Sequence, residues 1–154
     1  MKKRYDQQRG FTLIEVLVVI GIIAVLAGVV LVAINPARQF KVARDSERES
    51  HVAAILNAVG ENMSDNKGLF KCNGTEVVLP STTSPMKFNG FNIAPCIVPV
   101  YMASMPFDPN AAGAHYSSTT DYDSGYAIIR DTNDRITISA SSTELESPII
   151  SVTR

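Results

Sequence analysis

A run of 24 residues, Phe11 to Ile34, constrains this chain most strongly, because its side chains are apolar except for Thr12 and Glu15. As a helix the run would rise about 36 Å, which is enough to cross the hydrocarbon core of a bilayer. We therefore expect one membrane-spanning helix over 11–34. A charged side chain is costly inside a bilayer, so Glu15 is a functional candidate by default.

A short charged leader, 1–10, precedes the apolar run and ends in Gly10. Its charges are Lys2, Lys3, Arg4 and Arg9 against the single acid Asp6. The leader is followed directly by Phe11-Thr12-Leu13-Ile14-Glu15-Val16-Leu17-Val18-Val19-Ile20. This arrangement resembles the class III signal of type IV pilins and type II secretion pseudopilins.

In that family a prepilin peptidase cleaves after the glycine and methylates the new amino terminus. The resemblance therefore implies cleavage between Gly10 and Phe11 and N-methylation of Phe11. Glu15 would then be the fifth residue of the mature chain and would act in assembly, where its carboxylate can neutralise the amino terminus of a neighbouring subunit. Two buried charges of opposite sign cost less together than apart.

The resemblance implies a structural subunit of an extracytoplasmic type IV pilus-like filament. Its partners would be the prepilin peptidase, identical or related pilin subunits in a helical polymer, an inner-membrane assembly platform and membrane lipid. Before assembly, one span would hold the chain in the inner membrane with its amino terminus in the cytoplasm. A major pseudopilin of a type II secretion system is the alternative, and a minor tip or adhesin subunit would carry the same signal.

Two other interpretations of the apolar run remain open, and both would mean a protein of other function. One is an ordinary membrane anchor with a glutamate near its end. The other is a conventional secretory signal cut after Ala27. Against the second, the apolar run continues to Ile34, and Glu15 would lie in the part that should be most apolar.

The rest of the sequence carries no sign of catalysis or of nucleic-acid binding. It contains no hydrolase nucleophile elbow, no zinc-protease motif and no phosphate-binding glycine loop, so we do not expect an enzyme. The formal net charge of the chain is −1. The basic residues in 64–154 are scattered along the sequence and form no patch. We therefore expect no nucleic-acid partner.

The segment 35–63 is predicted to continue the helix as an amphipathic half. Pro36 predicts a kink, break or end where the apolar run stops. Beyond it, one apolar face has helical spacing and consists of Val52, Ile55, Val59 and Met63. The charged run 44–49 is predicted to be a solvated helix face, with pairing between subunits as the alternative.

The remaining segment, 64–154, is predicted to be a small β-rich head, which gives an α+β, pilin-like fold in which the long helix packs on an antiparallel sheet. The strand candidates are 76–79, 97–102, 126–130, 135–140 and an edge strand at 149–152. The third and fourth would form a hairpin through 131–134. The segments 80–95 and 103–120 are expected to be loops.

Cys72 and Cys96 are the only cysteines, and both fall on the side expected to lie outside the cytoplasm. An oxidising compartment favours a disulfide between them, which would close a loop of about 25 residues.

The stretch from Tyr101 to Pro109 resembles the proline-aspartate-proline loop of major pseudopilins, in which a calcium ion often holds the late loops. The resemblance makes calcium the candidate cofactor, and no other is expected. Hard oxygen ligands are available in the right region from Asp121, Asp123, Asp131, Asn133 and Asp134. The alternative is that these residues only form turns.

Overall fold

The computed structural model describes residues 10–145 and 149–154. The first nine residues of the leader therefore lie outside the described residues. The chain divides into two compact units, Met1–Gln39 and Phe40–Arg154. A long apolar helix followed by a small antiparallel sheet confirms the predicted α+β, pilin-like fold.

Two helices, with a break between them, form the first part of the chain. Helix α1 covers Leu13–Ile34 and helix α2 covers Pro36–Asp65. Between them Asn35 adopts a left-handed conformation with φ 47°, which ends α1. Its side chain then accepts a hydrogen bond from the Arg38 N–H, and proline is well suited to the first position of the new helix. The long helix is thus interrupted at Asn35, one residue before Pro36, as the proline predicts.

The apolar face of α2 packs into the core of the second unit. Val52, Ile55 and Val59 are fully buried, and Met63 packs against the same core while remaining partly exposed. The helical spacing of these residues therefore identified the buried face correctly.

Five antiparallel strands form the main sheet, which contributes the other side of this core. They are β3 (Ser84–Lys87), β4 (His115–Ser118), β5 (Asp121–Arg130), β6 (Ile136–Ala140) and β7 (Ile150–Thr153). The hydrogen-bonded order is β3-β5-β6-β7, and β4 pairs with the beginning of β5. Alternate side chains are buried along β5 and β6, as expected for a sheet with one face on a core.

The hairpin between β5 and β6 is the one that the sequence predicts. Its strands pair in register, with Ile128 opposite Ile138. The Asp131 carboxylate accepts hydrogen bonds from the N–H groups of Asn133 and Arg135, which fixes the turn. The edge strand β7 was also expected and lies beside β6.

The segment 97–102 is not the strand that its apolar residues predict. A short helix, α3, covers Ala94–Ile97, and turns follow it. The hydroxyl of the buried Tyr122 accepts hydrogen bonds from the N–H groups of Ile93 and Ala94 at the start of α3. A partner 29 residues away thus stabilises the helical turn, and local sequence does not reveal it.

Two segments that were expected to be loops each contain a strand. Strand β3 lies in 80–95 and β4 lies in 103–120. Both pair with β5, which begins at Asp121, earlier than the predicted strand at 126. Strands of four residues with a proline or few apolar side chains give a weak local signal, so their partner determines them.

A second, smaller hairpin carries the first cysteine. Strand β1 is Lys71–Cys72, and β2 is Thr75–Glu76. Of the strand predicted at 76–79, only Glu76 lies in β2, so 77–79 is not the strand that the sequence predicts. The turn between them is Asn73-Gly74, in which both residues have positive φ. Cys72 is joined to Cys96 of α3 by the expected disulfide.

Removing the disulfide is expected to lower the stability of the second unit. The two cysteines are 24 residues apart, so the double substitution Cys72→Ala, Cys96→Ala should cost about 3 kcal/mol. Thermal unfolding of the full chain in detergent, followed by near-ultraviolet circular dichroism, would measure the loss. An unchanged Tm would contradict the expected contribution.

Candidate functional site

The candidate processing and assembly residues lie at the start of α1. Gly10 and Phe11 precede the helix, and the Phe11 side chain is 88% exposed. Thr12 is the N-cap, so the helical residues begin at Leu13. The Gly10–Phe11 peptide bond is therefore in non-helical chain just before the helix, where an extended segment can enter an active site.

Glu15 is held at the beginning of α1 by a capping box with Thr12. One carboxylate oxygen accepts hydrogen bonds from the Thr12 N–H at 2.8 Å and from the Thr12 hydroxyl at 2.7 Å. In return the Glu15 N–H donates to the Thr12 hydroxyl oxygen at 3.3 Å. This reciprocal pair satisfies backbone donors that the first turn of a helix leaves free. The carboxylate is consequently fixed four residues after Phe11.

Every residue of α1 is exposed in the isolated chain. By length and composition α1 is able to cross a membrane. A helix that is apolar on all sides requires apolar surroundings, either lipid or other helices. At Gly21 and Gly28 an added Cβ would meet no other atom within 4 Å, so the space beside both glycines is open in the single chain.

The charged run 44–49 forms the predicted solvated face only in part, because Glu47 and Glu49 are exposed while other charged residues of the run are not. Arg48 is completely buried, and Asp45 is nearly so. Arg48 Nε and Nη2 donate to the two carboxylate oxygens of Asp108 at 2.8 and 2.9 Å. Arg48 Nη1 donates to Asp45 at 2.8 Å and to Glu144 at 3.3 Å. These charges therefore pair within the chain.

We call this group of Arg44, Asp45, Arg48, Asp108 and Glu144 the buried ion cluster. It is completed by Arg44, whose Nη2 donates to Glu144 at 2.6 Å, and by the N–H of Glu144, which donates to Asp45. The cluster joins three segments that are far apart in sequence. They are α2, the loop before β4 and the segment after β6.

A glycine in β5 lets the Asp108 loop approach the sheet. Gly125 has φ +71°, and a Cβ placed there would lie 2.8 Å from the Cβ of Asp108. The Asp108 N–H donates to the carbonyl oxygen of Ser124 at 2.9 Å, which holds the loop against the strand. Only glycine fits this backbone conformation and this close contact. Gly125 therefore helps to place Asp108 within hydrogen-bond distance of Arg48.

The cluster keeps Asp108 and Glu144 ionised. Burial by itself raises the pKa of Asp108, but hydrogen bonds from Arg48 and from the N–H groups of Asn110 and Ala111 bring that pKa below its ordinary value. Hydrogen bonds from Arg44 lower the pKa of Glu144 to about 2. Hydrogen bonding to Asp108 raises the pKa of Arg48, although burial opposes this. Arg44 and Arg48 thus favour the charged forms of Glu144 and Asp108.

Acid is expected to destabilise this part of the chain. The pKa of Glu144 in the folded protein is below its ordinary value of 4.5, so its contribution is complete above about pH 4.5 and is lost as the pH falls toward about 2. Thermal unfolding between pH 7 and pH 2 should show Tm falling in that window. The Glu144→Gln variant should lose part of that dependence, and an identical profile in the variant would contradict the assignment.

The sequence analysis pointed to the charged run on α2 and to the loop 101–109, but it did not predict that their charges pair with each other. Arg44 and Arg48, like Asp45 and Glu49, are like-charge pairs four residues apart, which an isolated helix disfavours. The loop 101–109 was singled out for its resemblance to pseudopilins, yet Asp108 was given no role. The unfavourable spacing was the available signal that these charges have partners elsewhere.

The five residues considered as calcium ligands lie at opposite ends of β5. Asp121 and Asp123 are at its start, where Asp121 Oδ1 lies 3.2 Å from His115 Nε2. The other three, Asp131, Asn133 and Asp134, follow its end in the hairpin turn. The structure therefore does not bring the five residues together in one site. Calcium binding by either group alone stays a prediction.

The described residues contain no group of three His, Cys, Asp or Glu side chains arranged to hold a metal ion. The turn interpretation fits Asp131, since its carboxylate is engaged by backbone N–H groups and by the Arg135 guanidinium.

Comparison with known proteins places these features in a class. Residues 6–31 match the family model for the prokaryotic N-terminal methylation motif. Together with the apolar helix and the small antiparallel sheet, this motif supports a type IV pilin- or pseudopilin-like class of protein.

A curated relative agrees with this class. Over 95 residues the chain is 34% identical to "Prepilin peptidase-dependent protein D" of Escherichia coli strain K12. The matched region covers 60% of this chain and 62% of that protein, so it spans less than two thirds of the relative. No solved structure gives a significant match.

Proposed function

We propose that this chain is a structural subunit of an extracytoplasmic type IV pilus-like filament. In this proposal a prepilin peptidase cleaves the Gly10–Phe11 bond and methylates Phe11. The observation that carries it is a helix apolar on every side with one carboxylate fixed at its first turn. The methylation motif over 6–31 and a relative named as dependent on prepilin peptidase support the processing step.

The exposed apolar surface of α1 is suited to two environments in succession, first lipid and then the helices of other subunits. Its 22 residues rise about 33 Å, so the helix can first be stored across the inner membrane with the second unit on the extracytoplasmic side. Packing of α1 against the same helix of other subunits would then bury that surface in a fibre. The open space beside Gly21 and Gly28 allows such helices to approach closely.

The carboxylate of Glu15 contributes an ion pair between subunits to this assembly. Cleavage before Phe11 creates a positive amino terminus at the start of the apolar helix. When subunits pack, that amine and Glu15 of a neighbour enter the same apolar surroundings, where each charge needs the other. The chain therefore undergoes proteolysis, methylation and polymerisation and catalyses no reaction itself. An inner-membrane assembly platform would extract it from the lipid.

Electron microscopy of fibres sheared from the native cells tests the filament role. An antibody to the second unit should label long fibres, and deletion of the prepilin peptidase should abolish the labelling. The matched control is a strain in which the chain carries Glu49→Gln, an exposed acid on α2, which should label normally. Absence of the chain from fibres would contradict a pilus subunit, and an accompanying secretion defect on its deletion would identify a secretion pseudopilin.

A further inference from the structure

The side chain of Asn62, near the end of α2, is bonded to both segments that carry a cysteine. It is 2% exposed. Its Nδ2 donates to the carbonyl oxygens of Lys71 at 2.8 Å and Cys96 at 3.1 Å. Its Oδ1 accepts a hydrogen bond from the Lys71 N–H at 2.9 Å. All three bonds go to backbone groups at a cysteine or directly before one.

The register of the small hairpin explains why Lys71 offers both of its backbone groups. In an antiparallel pair, only alternate residues exchange hydrogen bonds with the partner strand. Phe70 accepts from the Val77 N–H, and the next residue, Lys71, lies opposite Glu76. The N–H and C=O of Lys71 therefore point away from β2. Asn62 takes the place that a neighbouring strand would occupy.

The third hydrogen bond serves the other cysteine. Cys96 lies in α3, a helix of only four residues, and helix carbonyls near the end have no partner within the helix. Asn62 donates to the Cys96 carbonyl and so satisfies it. Among the described side chains, Asn62 is the one that hydrogen-bonds to both β1 and α3. It ties together the same two segments as the disulfide.

We propose that Asn62 is a positioning residue for the Cys72–Cys96 disulfide. None of its three hydrogen bonds involves sulfur, so all of them can form in the reduced chain. The amide then holds β1 and α3 beside each other and raises the effective concentration of one thiol at the other. The proposal does not depend on the filament function.

The reaction in question is oxidation by a small disulfide such as glutathione disulfide. One cysteine thiolate attacks it, forms a mixed disulfide and displaces one glutathione thiolate. The second cysteine thiolate attacks the protein sulfur of that mixed disulfide and displaces the other glutathione. Two protein thiols are oxidised, one glutathione disulfide is reduced, and Asn62 acts only by placing the second thiolate near the first sulfur.

The test is the equilibrium constant for this exchange in the folded full chain. The protein in detergent is equilibrated in glutathione buffers of defined ratio, and reduced and oxidised forms are counted by thiol alkylation and mass spectrometry. Asn62→Ala should lower the equilibrium constant by about 10- to 100-fold, because two segments lose their common partner. Asn57→Ala removes an exposed amide from the same helix and should leave the constant within about twofold.

A second control separates positioning from a general loss of stability. Val52→Ala removes buried methyl groups about 15 Å along α2 from Asn62, so it destabilises the same core without touching the amide. The proposal predicts a constant within about twofold of the unaltered chain for this variant. An equal fall in Val52→Ala and Asn62→Ala, or no fall in Asn62→Ala, would overturn it.

If Asn62→Ala does not fold, Asn62→Asp replaces it as the test. The carboxylate keeps an acceptor for the Lys71 N–H but cannot donate to the carbonyl oxygens of Lys71 and Cys96. The proposal predicts at least about a tenfold fall for this variant. An unchanged constant in Asn62→Asp would overturn the positioning role.

Discussion

Glu15→Leu is expected to be cleaved and kept in the membrane yet to be almost absent from fibres. Leucine makes the apolar run easier to insert, so membrane storage should not suffer. Assembly should suffer, because the amino terminus of Phe11 in the neighbouring subunit would be buried without an opposite charge. Leaving one member of a buried ion pair alone is strongly unfavourable, and we expect incorporation to fall by about 100-fold or more.

Glu15→Gln separates the charge from the shape of the side chain. Glutamine can still accept hydrogen bonds from Thr12 and preserve the capping box, but it cannot neutralise an amine. We therefore expect it to fail in assembly as Glu15→Leu does. The measurement is the ratio of chain in sheared fibres to chain in membranes, by quantitative immunoblot. Normal incorporation of Glu15→Gln would mean that the carboxylate acts only as a helix cap.

Arg48→Met is expected to produce a large loss of stability in the second unit. Methionine fills part of the volume of the arginine but leaves the buried Asp108 and the nearly buried Asp45 without their cation. Breaking a buried ion pair in this way typically costs about 3 to 5 kcal/mol. Thermal unfolding of the full chain in detergent should show Tm lower by at least about 10 °C.

Two further variants test the reason for that loss. Arg135→Met removes an exposed arginine that pairs with Asp131 at 2.9 Å, and it should cost less than about 1 kcal/mol. The double variant Arg48→Met, Asp108→Asn should recover part of the Arg48→Met loss, because a neutral amide costs less to bury than a carboxylate. A Tm for Arg48→Met equal to that of Arg135→Met would contradict the account of the buried ion cluster.

The parts of the fold that sequence predicted well have strong local patterns. The apolar run up to Ile34 became α1, and the helical spacing of Val52, Ile55 and Val59 identified the buried face of α2. The hairpin around 131–134 followed from turn residues between alternating strands. In each case, neighbouring residues carry the information, so one window of sequence is sufficient.

The parts that sequence missed are determined by distant partners. Helix α3 begins where the Tyr122 hydroxyl accepts from two N–H groups, and the short strands β3 and β4 exist because β5 pairs with them. Arg48 can be buried because Asp108, 60 residues away, accepts hydrogen bonds from its Nε and Nη2 atoms. A window that contains only the charged run on α2 indicates a solvated face.

The candidate assembly site lies between these two cases. Its residues were identified from a contiguous motif, and the structure adds that Thr12 fixes the Glu15 carboxylate at the first turn of α1. The contacts that Glu15 makes with a neighbouring subunit, in contrast, cannot be read from a single sequence. The role of Glu15 in assembly therefore rests on the chemistry of an amine and an acid brought together in apolar surroundings.

The most direct test of the filament account is the intact mass and amino-terminal sequence of the protein purified from its own cells. The account predicts a chain that begins with N-methylated Phe11. A chain that begins at Gly28 would indicate an ordinary secretory signal. A mature protein that retains Met1 would indicate a simple membrane anchor, and either result would contradict a prepilin-type subunit.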